Sequence, residues 1–183
     1  RMREKGITNS GVLIQGIDPG YFFPIKTPKS PEKFVLFSGG KFEPRKGQDL
    51  VLDAFKALQD KYPDMVLVNC WHNLWPQSMD LMASSKWIHY ERKGKNWAEI
   101  MNHIYALNGL DAERIFTIDL VPNETQRDLY RKTDLGIFPN RCEGGTNLVL
   151  MEYMACGKPV VGAYSTGQRD VLSKENALLL EDI

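Results

Sequence analysis

Short apolar runs recur along this chain, and polar stretches with helical spacing separate them. The runs lie at residues 12–14, 34–37, 65–68, 115–118, 135–138 and 160–161. They are too short for helices and rich in β-branched or aromatic residues, so they predict short buried strands. Between them, residues 47–61 place Leu50, Ala54 and Leu58 at i, i+4 and i+8, which predicts a helix with that face inward. Residues 97–107 repeat the pattern with Ile100, Ile104 and Leu107, and Gly109 ends the segment. Residues 123–132 open with Asn123 and Gln126, spaced as a capping-box pair. This alternation predicts an α/β fold, a Rossmann-like doubly wound parallel sheet with helices on both faces. Ligands of such sheets bind beyond the carboxyl ends of strands. Two loops follow predicted strands in that way, residues 39–46 and residues 140–147.

The least regular stretch, residues 70–97, holds Trp71, Trp75 and Trp87. We expect aromatic packing over the sheet edge there. The 183 residues suffice for one domain with a sizeable core. Lys+Arg and Asp+Glu are both 23, so the net charge is zero and any anion site must be local. That balance gives no footprint for a nucleic-acid partner. No apolar run approaches a transmembrane segment. Cys70, Cys142 and Cys156 have no zinc spacing and read as buried free thiols in a reducing compartment. His72, His89 and His103 lack metal-ligand spacing, and no metal site is expected. The chain shows no leader and starts without Met. We expect a cytoplasmic protein, peripheral membrane attachment of the full-length form being compatible, and both ends read as cuts in a longer chain.

The densest chemistry lies at residues 143–159, Glu-Gly-Gly-Thr-Asn-Leu-Val-Leu-Met-Glu-Tyr-Met-Ala-Cys-Gly-Lys-Pro. A carboxylate precedes a small-residue turn, an apolar helix follows with Glu152 inside it, and Gly157 and Pro159 stop it. Asn147 or Thr146 supplies the N-cap. Backbone N–H groups at a helix start form a ready anion site. Two carboxylates beside it suit a ligand with both phosphate and hydroxyl groups, such as a nucleotide sugar. The chain has no Walker A order, no Asp-x-Asp and no Gly-x-Gly-x-x-Gly.

Residues 143–161 resemble the donor signature of retaining GT-B glycosyltransferases of the GT4 type. The match is close from Glu152 through Ala155-Cys-Gly-Lys-Pro-Val-Val161, whereas eight residues rather than the usual seven separate Glu143 from Glu152. Residues 34–47, Phe-Val-Leu-Phe-Ser-Gly-Gly-Lys-Phe-Glu-Pro-Arg-Lys-Gly, are similar to the family's strand and basic turn, with Lys41 in place of its commoner Arg. Residues 15–24, Gln-Gly-Ile-Asp-Pro-Gly-Tyr-Phe-Phe-Pro, are similar to its entry to the donor domain.

The resemblance implies one nucleotide-sugar donor-binding domain over residues 1–183. Its partner would be its own N-terminal acceptor domain, outside this sequence. As a full-length protein it would be a hexosyltransferase acting with retention on a glycan or glycolipid-type acceptor, as in polysaccharide biosynthesis. No cofactor is implied beyond the donor itself. Lys41 and Lys46 would clamp the diphosphate, with Gly39 and Gly40 giving it room. The turn residues Gly145, Thr146, Asn147 and Leu148 would offer N–H groups, and Val121 would meet the base through its backbone. Glu152 would hold the ribose, and Glu143 would meet the sugar at the reacting end, so Glu143, Lys46 and Lys41 form the catalytic set. Arg45 is read as solvent-facing. A nucleotide-sugar epimerase of the same fold, or a non-catalytic nucleotide-sugar binding module, are the rival readings.

Overall fold

Six parallel strands run in the order β3-β2-β1-β4-β5-β6. They are β1 (Phe34–Gly39), β2 (Met65–Cys70), β3 (Ile115–Thr117), β4 (Leu135–Phe138), β5 (Val160–Ala163) and β6 (Leu178–Leu180) in a computed structural model that describes residues 3–11, 13–24 and 32–181. The helices between them are α1 (Gln48–Gln59), α2 (Pro76–Asp80), α3 (Trp97–Leu107), α4 (Asn123–Arg131) and α5 (Leu148–Ala155). This is the strand order of the doubly wound Rossmann sheet, whose direction of winding reverses between β1 and β4. The two strands pair in parallel, Leu36 against Leu135 and Phe37 against Gly136. Their following loops therefore leave the same edge, side by side, as expected for residues 39–46 and 140–147.

Strand alternation divides the core in two. Leu36 faces a cluster with Val51, Leu52 and Phe55 of α1 and Met101, Ile104 and Tyr105 of α3. Its neighbour Phe37 points the other way, to Tyr130 of α4 and Leu150 and Tyr153 of α5. Successive strand side chains project to opposite faces, so helices must cover both. Phe37 is fully buried and stacks on Tyr153 at 5.1 Å between ring centroids. Burying such a side chain is worth about 1.5–3 kcal/mol. Gly136 is required beneath that stack, because a Cβ there would lie 2.6 Å from Tyr153 Cε1.

Several sequence expectations are corrected. Leu13 and Ile14 are exposed and lie outside any strand, and Val12 falls outside the described residues. The buried stripe of α1 is Val51, Leu52 and Phe55, so Leu50, Ala54 and Leu58 lie off the inward face. The helix follows a 3₁₀ turn at Pro44–Lys46, with Gly47 in the left-handed region between them. Gly47 has φ +75°, and a Cβ would sit 2.1 Å from the Pro139 carbonyl oxygen. In α3 the stripe shifts likewise to Met101, Ile104 and Tyr105, leaving Leu107 exposed. Helix α4 has no capping box: Pro122 is the N-cap, and Gln126 instead accepts from the Tyr130 hydroxyl at 2.6 Å. Strand β6 was not expected, since three leucines carry neither β-branching nor alternation. Trp71 is buried against Phe42 in the core, whereas Trp75 and Trp87 are half exposed rather than packed over the sheet edge. Cys156 is buried, but Cys142 is exposed.

Candidate functional site

The loops after β1 and β4 are fastened to each other by buried charge. Arg141 forks onto Asp49, with Nη1–Oδ1 at 2.7 Å and Nη2–Oδ2 at 3.0 Å, and Nη1 also donates to the Pro44 carbonyl at 2.7 Å. Asp49 is only 2% exposed and takes a further 2.7 Å bond from Ser85 Oγ. Cys142 N–H closes the contact on the Arg45 carbonyl. A bidentate guanidinium–carboxylate pair fixes orientation as well as distance, so the two loops form one rigid rim.

On that rim Glu143 and Lys46 meet. Lys46 Nζ donates to Glu143 Oε1 at 2.5 Å, as does Asn140 Nδ2, and Arg45 Nη1 lies 3.5 Å from Oε2. The Glu143 backbone N–H donates to Thr166 Oγ1 at 2.7 Å. Thr166 has φ +43°, an unusual value for a threonine, and Gly167 beside it leaves no room for a Cβ against the Gly145 carbonyl. Strained backbone of this kind persists where surrounding contacts over-determine it, and here it braces the turn carrying Glu143. Arg45 is not simply solvent-facing, because it also pairs with Glu43 at 2.6 Å.

Helix α5 starts directly after this turn. Asn147 is its N-cap, accepting from Leu150 N–H through Oδ1 at 3.3 Å. The N–H groups of Leu148 and Val149 have no acceptor within the helix by its geometry. Thr146 Oγ1 and Asn147 Nδ2 are buried and have no hydrogen-bond partner among the described residues. Buried polar groups are rarely left so, and the arrangement is ready for an anion at a helix start. Gly39 brings the end of β1 against it, since any Cβ there would lie 2.6 Å from Val149 Cγ1. Gly40 has φ +111° and lies beside the Lys46 side chain.

Beside the rim lies a cleft of about 340 Å³, lined among others by Gly40, Lys41, His72, Trp75, Val149 and the loop Ile118–Val121. Lys41 Nζ rests 3.8 Å over the Trp75 ring. Of the two expected clamps, Lys46 thus sits on Glu143 and Lys41 lies in the cleft. Val121 is among the residues lining the cleft. Gly145 and Gly144 have open space about them.

Glu152 lies inside α5, nearly buried, with the Tyr130 hydroxyl 3.1 Å from Oε2. Burial pushes its carboxyl above the ordinary value of 4.5, and the Tyr130 bond only partly offsets this. The single Tyr130 proton faces two acceptors, Gln126 and Glu152. Because burial outweighs the Tyr130 bond, the folded state holds the Glu152 proton more tightly than the unfolded chain does. Stability is expected to fall as pH rises from 4.5 through the raised value. Glu152→Gln removes this titration while keeping an oxygen for Tyr130. Urea denaturation should show it more stable than the parent at pH 7 and no more stable at pH 4. Equal stability of the two proteins at pH 7 would contradict this reading.

Sequence reasoning missed Asn140, Thr166, Tyr130, Arg141 and Asp49. Only Asn140, at the end of a predicted strand, carried a local signal; the rest reach the site through contacts distant in sequence.

The six-stranded parallel sheet with its helices is the Rossmann-like α/β fold of GT-B glycosyltransferase C-terminal domains. A sequence profile described as "Glycosyl transferases group 1" matches residues 22–182, and the chain belongs to that family. It is 26% identical over 145 residues to a phosphatidyl-myo-inositol mannosyltransferase of Propionibacterium freudenreichii subsp. shermanii, covering 79% of this chain and 29% of that protein. The chain thus spans less than a third of the length of this relative. Among solved structures, the C-terminal domain of the glycosyl transferase group 1 family protein LpcC from Francisella tularensis superposes with a TM-score of 0.67 at 21% identity, covering 91% of this chain and 80% of that one. Anabaena Alr3699/HepE in complex with UDP gives 0.64 at 18% identity, covering 90% and 42%. Among the described residues, no helix is long and apolar enough to cross a membrane.

Proposed function

We propose that this domain binds a nucleotide-diphosphate sugar. Within a full-length protein that adds an acceptor-binding domain, it transfers the sugar, with retention, to a glycan or glycolipid-type acceptor. The observation that carries the reading is the start of α5, where buried Thr146 Oγ1 and Asn147 Nδ2 lack partners among the described residues, beside the Lys46–Glu143 pair. The diphosphate sits there, on the N–H groups of Gly145, Thr146 and Leu148. Lys46 and Lys41 add positive charge where the leaving group gains negative charge, which lowers the barrier to its departure. Glu143, already oriented by Asn140 and Thr166, faces the sugar, and Glu152 takes the ribose hydroxyls. Handling of the diphosphate by lysines and a helix start needs no metal ion in this scheme. The complexes of HepE with UDP and UDP-glucose are consistent with a donor of this class.

The test is to assay the full-length protein against a panel of nucleotide sugars and acceptors, following release of the nucleoside diphosphate. Turnover with one donor and retained anomeric configuration in the product is the expected result. Tight binding without turnover for any acceptor favours a binding module, and no binding of any nucleotide sugar overturns the proposal.

A further inference from the structure

We propose that Trp75 is the platform on which the donor's nucleobase stacks, and that the base takes the ring face on which Lys41 rests. The inference rests on the donor reading above and adds to it a residue for the base. The cleft is lined by Gly40, by Lys41 and by Val149 in the first turn of α5. Trp75 adds a flat indole to the same lining, together with His72 and Asp119. A nucleotide has one flat aromatic portion, and an aromatic side chain in a cleft wall recognises its face whatever the base.

Trp75 is prepared for this. Half its surface is open, at 52% exposure, although the other tryptophan of the same turn, Trp71, is fully buried. Its backbone is held independently of the ring: Trp75 N–H donates to Asn73 Oδ1 at 2.9 Å, and Asn73 Nδ2 is anchored on the Phe42 carbonyl and Ser78 Oγ. Pro76 follows and starts α2, which fixes the chain direction. The loop carrying Val121 and Asp119 also lines the cleft, with Asp119 Oδ1 accepting from Leu120 N–H at 2.7 Å and lying 2.7 Å from His72 Nδ1.

The position of Lys41 adds a coupling. Its ammonium lies 3.8 Å over the indole, a cation–π contact of modest strength at an exposed site. A base that takes that ring face displaces the ammonium, which then serves the diphosphate. Base and phosphate binding so reinforce each other through one side chain.

Titration of the full chain with UDP, GDP and inorganic pyrophosphate tests this. Trp75→Ala is expected to lower nucleoside diphosphate affinity about 10-fold. Pyrophosphate affinity should stay equal or rise, because Lys41 no longer has a ring to rest on. Trp75→Phe should keep affinity within about threefold of the parent, while the quenching of tryptophan fluorescence by the nucleotide largely disappears. Less than a twofold loss of nucleotide affinity in Trp75→Ala, or a parallel loss for pyrophosphate, overturns the inference and leaves the donor site standing. If the unaltered chain binds none of the three ligands, the donor reading fails and this inference fails with it.

Discussion

Lys46→Ala in the full-length protein is expected to lower turnover at saturating donor by about 10²-fold or more. A charge-assisted contact that strengthens as the leaving group departs is worth roughly 2–4 kcal/mol in the transition state, and each 1.4 kcal/mol or so is tenfold in rate. The structure sharpens the expectation. Lys46 is mostly shielded from water and shares Glu143 Oε1 with Asn140. Its removal therefore takes away a cation at the start of α5 and also the main neutralising partner of a buried carboxylate. Donor affinity should drop less than turnover, because part of the contact is made only as charge develops. Steady-state kinetics of the variant measure both. Activity within a few-fold of the parent would count against Lys46 as the diphosphate clamp.

Arg141→Ala is expected to destabilise the domain by about 2–3 kcal/mol, less than the cost of breaking a fully buried ion pair because Arg141 is 30% exposed. Asp49, 2% exposed beneath the intact fork, would keep the Ser85 hydroxyl as a hydrogen-bond donor but lose its cation. Urea denaturation should show a midpoint lower by about 1 M or more. Removing both charges separates this from lost packing: Arg141→Met combined with Asp49→Leu should recover most of the stability, because no uncompensated charge is left. The double variant would still lose function, since the loops carrying Lys46 and Glu143 are aligned by that fork. A midpoint unchanged in Arg141→Ala would show that the pair does not hold the rim.

Much of the fold was legible because local pattern and global topology agree. Five of the six strands are short runs bounded by polar segments, and the runs at 34–37 and 135–138 fall on adjacent strands at the switch point. What was not legible depends on contacts between distant residues. The inward face of α1 carries Val51, Leu52 and Phe55 rather than Leu50, Ala54 and Leu58, and the close approach of Gly47 to Pro139 at its start is a contact 92 residues apart in sequence. At the candidate site, the resemblance to the family's motifs pointed to Lys46, Glu143, Asn147 and Glu152, and the N-cap at Asn147 is observed. Their pairings were not legible. That Lys46 lies on Glu143, that Lys41 lies on Trp75, and that Tyr130 reaches Glu152 all follow from how the loops converge.

The central claim is that α5 and its flanking carboxylates hold a nucleotide diphosphate, with Glu152 at the ribose and Glu143 at the reacting sugar. Uniform binding of the ribose should appear in nucleotide affinity, whereas a contact to the sugar should not. Calorimetric titration of the bare nucleoside diphosphate into Glu152→Gln and Glu143→Gln tests this most directly. Glu152→Gln should weaken binding. Glu143→Gln should leave it unchanged or tighter, because the change removes a negative charge beside the diphosphate and frees Lys46. Equal weakening by the two substitutions would contradict the assignment of the two carboxylates.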